Sequence, residues 1–277
     1  MPFSPSVLEL FPQPALKSTR YPVVLMHGFG ALAGFNKAGM MHDLALMLRQ
    51  HGILAFAPNV IPYQTVANRA ALWKELIVRI LEQTKSDKVN LICHSMGGLD
   101  ARYLASELGG HAFVASITTV SSPHGGTYLA QYVLEKPASL QRLFINSMDR
   151  LGNSIFPLSP SAAEVALREL TPRYMEDEFN PNIPDHPAIQ YWSCSGQAGK
   201  GTKEGINPIM RFQNHILYGA EGVNDGIVSV KSGTWHNFLG VFSADHGRQI
   251  GLYTKQNGFN LERFYLSLID LMQDKGF

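Results

Sequence analysis

This sequence predicts an α/β domain built on a mostly parallel sheet with helices on both faces. Three observations carry that prediction. Short runs rich in β-branched residues alternate with longer helical patterns through the first half of the chain. Those short runs carry apolar residues on both faces, as strands covered on both sides do. The chain has 277 residues, 45% of them hydrophobic, enough for one large core.

The elements follow in order. Pro22 to Met26 reads as a strand, and the segment ending at Gly52 as a helix. Ile53 to Ala57 is the second strand. A long helix follows, with Ala70, Trp73, Ile77, Ile80 and Leu81 near helical spacing. "KVNLIC" is a third strand, Met96 to Gly109 a helix, and "AFVASITTV" a fourth strand. The rhythm breaks after Pro123: residues 125–187 carry helical patterns, prolines and turns but no strand. Ala188 to Ser195 restores the sheet, and a glycine-rich loop follows. "VNDGIVSV" and "HNFLGVFSADHG" read as further strand ends, and "LERFYLSLIDLM" as a closing amphipathic helix. The simplest organisation is one domain over 1–277 with a helical cap inserted at 125–187.

Composition excludes several classes of function. Charged residues make up 16% with a formal net charge of +1, and they are scattered, so neither a nucleic-acid track nor a polybasic membrane patch is present. No apolar run approaches the ~20 residues that span a bilayer. The opening residues lack a basic leader followed by an apolar core. The compartment stays open, with export after removal of a leader favoured over the cytoplasm. Cys93 and Cys194 fall in separate apolar segments and read as buried thiols.

The chemistry concentrates at "ICHSMGG", where a strand runs through a sharp corner into a helix with Ser95 at its apex. A nucleophilic serine needs such an elbow: it projects from the sheet edge, and small residues two before and two after it let strand and helix approach. Those positions are Cys93 and Gly97. The bland alternative is a serine that caps the following helix. The amide of Met96 stands at a helix start, where it can hold a developing oxyanion. "VVLMHGFG" ends the first strand in His-Gly-x-Gly, a flexible turn whose Phe29 amide supplies a second donor; the alternative there is a glycine turn around a core histidine.

An acid and a base must follow the serine. Candidate acids are Asp177, Asp185, Glu204, Glu221, Asp225 and Asp245; candidate bases are His124, His186, His215, His236 and His246. Asp225 lies in an Asn/Gly turn that presents its carboxylate. His246 follows an apolar strand directly, whereas His236 precedes that strand and belongs to the opposite edge. Position favours Asp225 and His246, although periodicity alone does not settle the acid.

Five segments in order, "YPVVLMHGFG", "VNLICHSMGGLDARYLAS", "VASITTVSSPHGGT", "GVNDGIVSV" and "ADHGRQIG", resemble those of the bacterial triacylglycerol lipases of the Pseudomonas and Burkholderia type. The resemblance implies an α/β-hydrolase fold with a mobile helical lid, Ser95 as nucleophile, Asp225 as acid, His246 as base, and the Phe29 and Met96 amides as oxyanion donors. It implies an ester or lipid substrate, met at a lipid–water interface, and no cofactor. The family also holds a structural calcium, one ligand being an aspartate two residues after the catalytic histidine. Here that position is Arg248, so no metal is expected, and Arg248 or its neighbours are expected to hold the His246 loop. The lid falls on the apolar stripe Leu140, Leu143, Phe144, Met148 and Leu151; periodicity fits a helix packed permanently on the core equally well. The same residues fit a lipase on long acyl chains, a short-chain carboxylesterase, a polyester depolymerase or an acyltransferase. In another class, a non-catalytic α/β-hydrolase-fold binding protein would use the pocket alone.

Overall fold

The computed structural model describes residues 16–30, 39–155, 161–252 and 258–277. Six parallel strands form the sheet: β1 (Val23–Met26), β2 (Ala55–Phe56), β3 (Val89–His94), β4 (Val114–Val120), β5 (Gln190–Gln197) and β6 (Asn237–Ser243). Their order across the sheet is β2-β1-β3-β4-β5-β6. Strands β1, β3 and β4 are buried along their whole length, the polar Asn90, Ser116 and Thr118 included, whereas β6 alternates between exposed and half-buried residues at the sheet's edge.

Successive side chains of a strand point to opposite faces, and each face receives its own pair of helices. Val23 and Leu25 pack with Leu44 and Leu48 of α1 (His42–Gln50) and with the closing helix at Leu268, Ile269 and Met272. Val24 and Met26 pack with Trp73 and Ile77 of α2 (Val66–Thr84) and with Ala101 and Leu104 of α3 (Gly97–Glu107). Helix α2 starts where the Thr65 hydroxyl accepts the Asn68 amide, and its buried Ala70, Trp73, Ile77 and Ile80 recur at helical spacing.

Between β4 and β5 lie α4 (Tyr128–Leu134), α5 (Ala138–Ile155), α6 (Ala163–Glu169) and short helical turns over 172–182, with no strand among the described residues of that stretch. Ile145, Met148, Leu167 and Leu170 from this layer pack with Met96, the residue before α3, and with Leu99 within it. The chain continues through α7 (Arg211–Glu221), to which the sequence reading assigns no element, and ends in α8 (Leu261–Asp274).

One expectation is corrected. "VNDGIVSV" is not a strand but a turn closed by an isolated antiparallel bridge between Asn224 and Ser229, after which Ser229 caps a short helix, Val230–Gly233. Local hydrogen bonds from Asx and Ser side chains compete with the ladder and win. Cys93 and Cys194 are both buried free thiols, held apart because β4 runs between β3 and β5. Among the described residues no helix is long and apolar enough to cross a membrane.

Because all six strands run the same way, their carboxyl ends share one edge: Met26 is level with Cys93, His94 with Val120, and Gln197 with Ser243. The segments beginning at His27, Ser95 and Ala244 therefore leave the sheet on that edge, where open parallel sheets hold ligands.

Candidate active site

At the end of β3 the backbone of Ser95 is left-handed, with φ at +58°, a region that non-glycine residues avoid. The Ser95 amide stays tied to Val120 O at 3.0 Å, so the corner is made between a fixed strand and a fixed helix. Two glycines make it sterically feasible. A Cβ on Gly97 would stand 2.6 Å from Met26 O, and one on Gly28 would stand 2.5 Å from Ser95 Cβ and 2.8 Å from Met96 N. The His-Gly turn after β1 thus lies directly against Ser95 and the Met96 amide. Cys93, which stands where glycine is common in such elbows, fits with its thiol 3.6 Å from the Met26 sulfur. Ser95 Oγ is buried and has no hydrogen-bond partner among the described residues.

His27 is the core histidine of that turn. Its Nδ1 lies 3.0 Å from Gly28 O, its Nε2 accepts the Val60 amide at 3.1 Å, and its ring meets Trp73 edge-on. Burial, reinforced by the Arg69 charge, lowers its pKa to about 3, so it is neutral. Arg69 itself donates to His27 O at 2.7 Å and to Ile61 O at 2.7 Å, and pairs with Asp100 at 2.9 Å. Asp100 also accepts Trp73 Nε1 at 3.1 Å. This fully buried pair joins α2, α3 and the turn carrying Phe29.

Asp225 and His246 meet. His246 Nδ1 donates to Asp225 Oδ2 at 2.7 Å, and the His246 amide donates to Asp225 O at 2.9 Å. Asp225 Oδ1 accepts the amides of Ile227 (3.0 Å) and Val228 (2.8 Å). Burial alone would raise the pKa of this carboxyl, but the His246 charge and the hydrogen bonds from His246, Val228 and Ile227 outweigh it and hold the pKa below the usual range.

Two participants escape the sequence reading. Gln249 Nε2 donates to Asp225 Oδ2 at 2.8 Å, and the His94 ring packs on His246 with centroids 4.4 Å apart. Burial, then the charge of His246, pushes the His94 pKa well down. The signal for His94 was its place beside Ser95; for Gln249 the sequence carries none, since its role arises from a turn three residues past His246.

The remaining candidates are engaged elsewhere. Asp185 pairs with Arg102 (3.1 Å) and His236 (2.5 Å), Asp177 with Arg173, and Glu221 accepts the Tyr128 amide. His124 is buried against Thr119 and Arg102, His186 stacks on His111, and His215 lies 3.4 Å from Lys200. Glu204 lies in the loop before α7, where its backbone carbonyl accepts the Gly199 amide.

The place where the resemblance puts calcium is organised around a protein cation. Asp245, fully buried, accepts the amides of Arg248 (3.0 Å) and Asn207 (3.2 Å), and the Arg248 guanidinium stands 3.2 Å from its Oδ2. A guanidinium fixed against the carboxylate repels a divalent ion, and among the described residues no group of three or more His, Cys, Asp or Glu could hold a metal. These residues do not fit calcium.

Ser95, His246, Phe29 and Gly28 line one cavity of about 730 Å³, with Leu140, Leu143, Phe144 and Met148 of α5 on its wall. Met148 is buried while Leu140, Leu143, Phe144 and Leu151 remain exposed. A buried serine at a strained corner, an imidazole anchored by a carboxylate and an apolar cavity suit attack on an acyl carbonyl.

Comparison with known proteins agrees. Residues 22–164 match the family model described as palmitoyl protein thioesterase. A triacylglycerol lipase of Pseudarthrobacter phenanthrenivorans is 30% identical over 213 residues, 73% of this chain and 63% of that protein. A triacylglycerol lipase of Burkholderia plantarii is also 30% identical over 213 residues, 73% of this chain and 56% of its own. The chain thus spans about 60% of the length of these curated relatives. The crystal structure of a mature Bacillus licheniformis lipase superimposes with a TM-score of 0.67, covering 94% of this chain and 95% of that one at 19% identity, a likeness of fold. By that match over 22–164 the chain belongs to the palmitoyl protein thioesterase family, on an α/β-hydrolase fold and similar in sequence to bacterial triacylglycerol lipases.

Proposed function

We propose that the protein hydrolyses carboxylic esters through an acyl-enzyme and acts as a lipase on triacylglycerol or other long-chain acyl esters. The observation that carries this reading is the 2.7 Å contact between His246 and Asp225 beside the cavity that Ser95 lines. Ser95 attacks the ester carbonyl while His246 takes its proton, later giving it to the leaving alcohol. Asp225 holds the imidazole tautomer and stabilises its cationic form. The amides of Phe29 and Met96 receive the oxyanion, each worth about 3 kcal/mol in the transition state. Water then repeats the sequence on the acyl-enzyme.

Long chains are favoured over short ones because the cavity lies well within the range of ligand pockets and is walled by Leu, Val, Phe, Met and Ile side chains. Residues 125–187 serve as the cap of a single domain, with α5 as its lid; the exposed Leu140, Leu143 and Phe144 are the surface such a lid would offer to lipid. The family match favours one variant of the same chemistry, in which the acyl group is long and is carried as a thioester. A short-chain carboxylesterase and a non-catalytic binding protein remain the rivals.

The test is hydrolysis of p-nitrophenyl esters from acetate to palmitate, below and above each ester's solubility limit, with wild type beside Ser95→Ala. Activity that rises with chain length, jumps at the solubility limit and vanishes in the variant is the expected result. Activity confined to short, dissolved esters makes this an esterase without a working lid, and activity that survives Ser95→Ala removes the triad.

A further inference from the structure

The cavity that holds Ser95 is walled by apolar and a few neutral polar side chains, with one exception. Among its described lining residues, Lys136 is the only lysine, arginine, aspartate or glutamate. It follows α4, which is capped at its start by the cavity-lining Thr127 and whose seven residues rise about 10 Å, so it stands at the opposite end of that helix from Thr127. Its ammonium is held 3.4 Å over the ring of Tyr132, another lining residue. No carboxylate neutralises it among the described ion pairs, and its neighbour Glu135 accepts from Gln131 Nε2 at 2.7 Å instead.

An aromatic face steadies a cation without cancelling its charge. Walls of low polarity screen that charge poorly, so its field reaches into the cavity. An anion arriving there gains a charge-assisted hydrogen bond. We infer that Lys136 is a specificity residue that receives an anionic group, a carboxylate or a phosphate, carried by the acyl ester about one short helix away from the scissile carbonyl. This rests on the hydrolase reading above and adds to it a preference, among long-chain acyl esters, for those bearing a negative charge. The charge can sit on the far end of the acyl chain or on the alcohol.

Two pairs of monomeric substrates, each below its aggregation concentration, separate those sources. One pair is the p-nitrophenyl monoester of a ten-carbon diacid with its other carboxyl free or methylated. The other is monodecanoylglycerol with or without a 3-phosphate. The readout is the anionic-to-neutral ratio of kcat/KM in wild type, Lys136→Gln, Lys136→Arg and, as a control, Arg142→Gln, an exposed cation outside the cavity whose Nε donates to Ala138 O. Wild type should favour the anionic member of at least one pair by about fivefold to tenfold, mainly through KM, and the responding pair identifies where the charge is carried. Lys136→Gln should bring the ratio to about one, Lys136→Arg should restore most of it, Arg142→Gln should leave it, and added salt should reduce it in wild type. A ratio near one in wild type for both pairs overturns the inference while leaving the hydrolase reading intact, as does a preference that persists in Lys136→Gln. Failure to hydrolyse any member of either pair overturns the hydrolase reading, and this inference falls with it.

Discussion

Ser95 was legible in the sequence because its requirements are local: an apolar strand, a glycine two residues on, and a helix behind it. The positive φ and the contact with the Gly28 turn are what that spelling folds into. Asp225 was less legible, since what suits its carboxylate is the set of donors that surround it. Two of those, the Ile227 and Val228 amides, follow from the turn; Gln249 arrives through space. Gln249 shares with His246 the same oxygen of Asp225, and we argue that it keeps this oxygen aimed at the imidazole. Gln249→Leu should lower kcat about tenfold, the loss of one hydrogen bond to a buried charge, with little change in KM. An unchanged kcat would reduce Gln249 to a space-filling residue.

At the scale of elements, the alternation of strands and helices was readable because burial on both faces leaves apolar residues on both faces of a strand. The failures came where side chains compete with the backbone. "VNDGIVSV" has the residues of a strand, but Ser229 Oγ accepts the Ser232 amide and starts a helix in its place. The Arg69–Asp100 pair was invisible for another reason, namely that its members lie 31 residues apart on two helices separated by β3, and only the fold brings them together. Buried together, they hold α2, α3 and the Phe29 turn in one arrangement. Removing one member leaves the other charge uncompensated. Arg69→Met should therefore cost about 3–5 kcal/mol in urea unfolding. Arg69→Met with Asp100→Leu should recover much of it, and a double variant no better than the single one would mean that packing, not charge, is at stake.

The whole molecule responds to pH through two buried carboxyls outside the triad and through the triad acid itself. Burial raises Asp100 to about 6 against the opposing charge of Arg69, and raises Glu169 to about 7 although it accepts the Val66 amide, the nearby Asp100 charge adding to the rise. Both bind protons more tightly folded than unfolded, so their contribution is full below their unfolded values of 3.8 and 4.5 and fades as pH rises through about 6 and 7. Asp225 acts the other way: its lowered pKa gives stability above 3.8 that is lost as pH falls through its folded value. Stability should thus rise from pH 8 to about 5 and fall again in stronger acid. Glu169→Gln should flatten the first limb by an amount of the order of 2 kcal/mol, and a wild-type curve already flat from pH 8 to 5 would show that Glu169 is not held protonated.

The loop that carries His246 is closed to the rest of the molecule by Asp245, which ties it to Asn207 and to Arg248. The resemblance implies a calcium ion at the corresponding loop; here a positive charge is covalently part of the chain and cannot be removed. We argue that this makes the fold and the activity indifferent to chelation. Activity on a soluble ester and the thermal midpoint should be unchanged by excess chelator, and added calcium should shift neither. Arg248→Ala, by contrast, leaves a buried carboxylate short of its partner and should cost about 3 kcal/mol. Its kcat should fall further than its KM changes, because the loop that loosens carries the base. A midpoint that drops in chelator, or rises with calcium in the wild type, would show that a metal still binds and that Arg248 does not replace it.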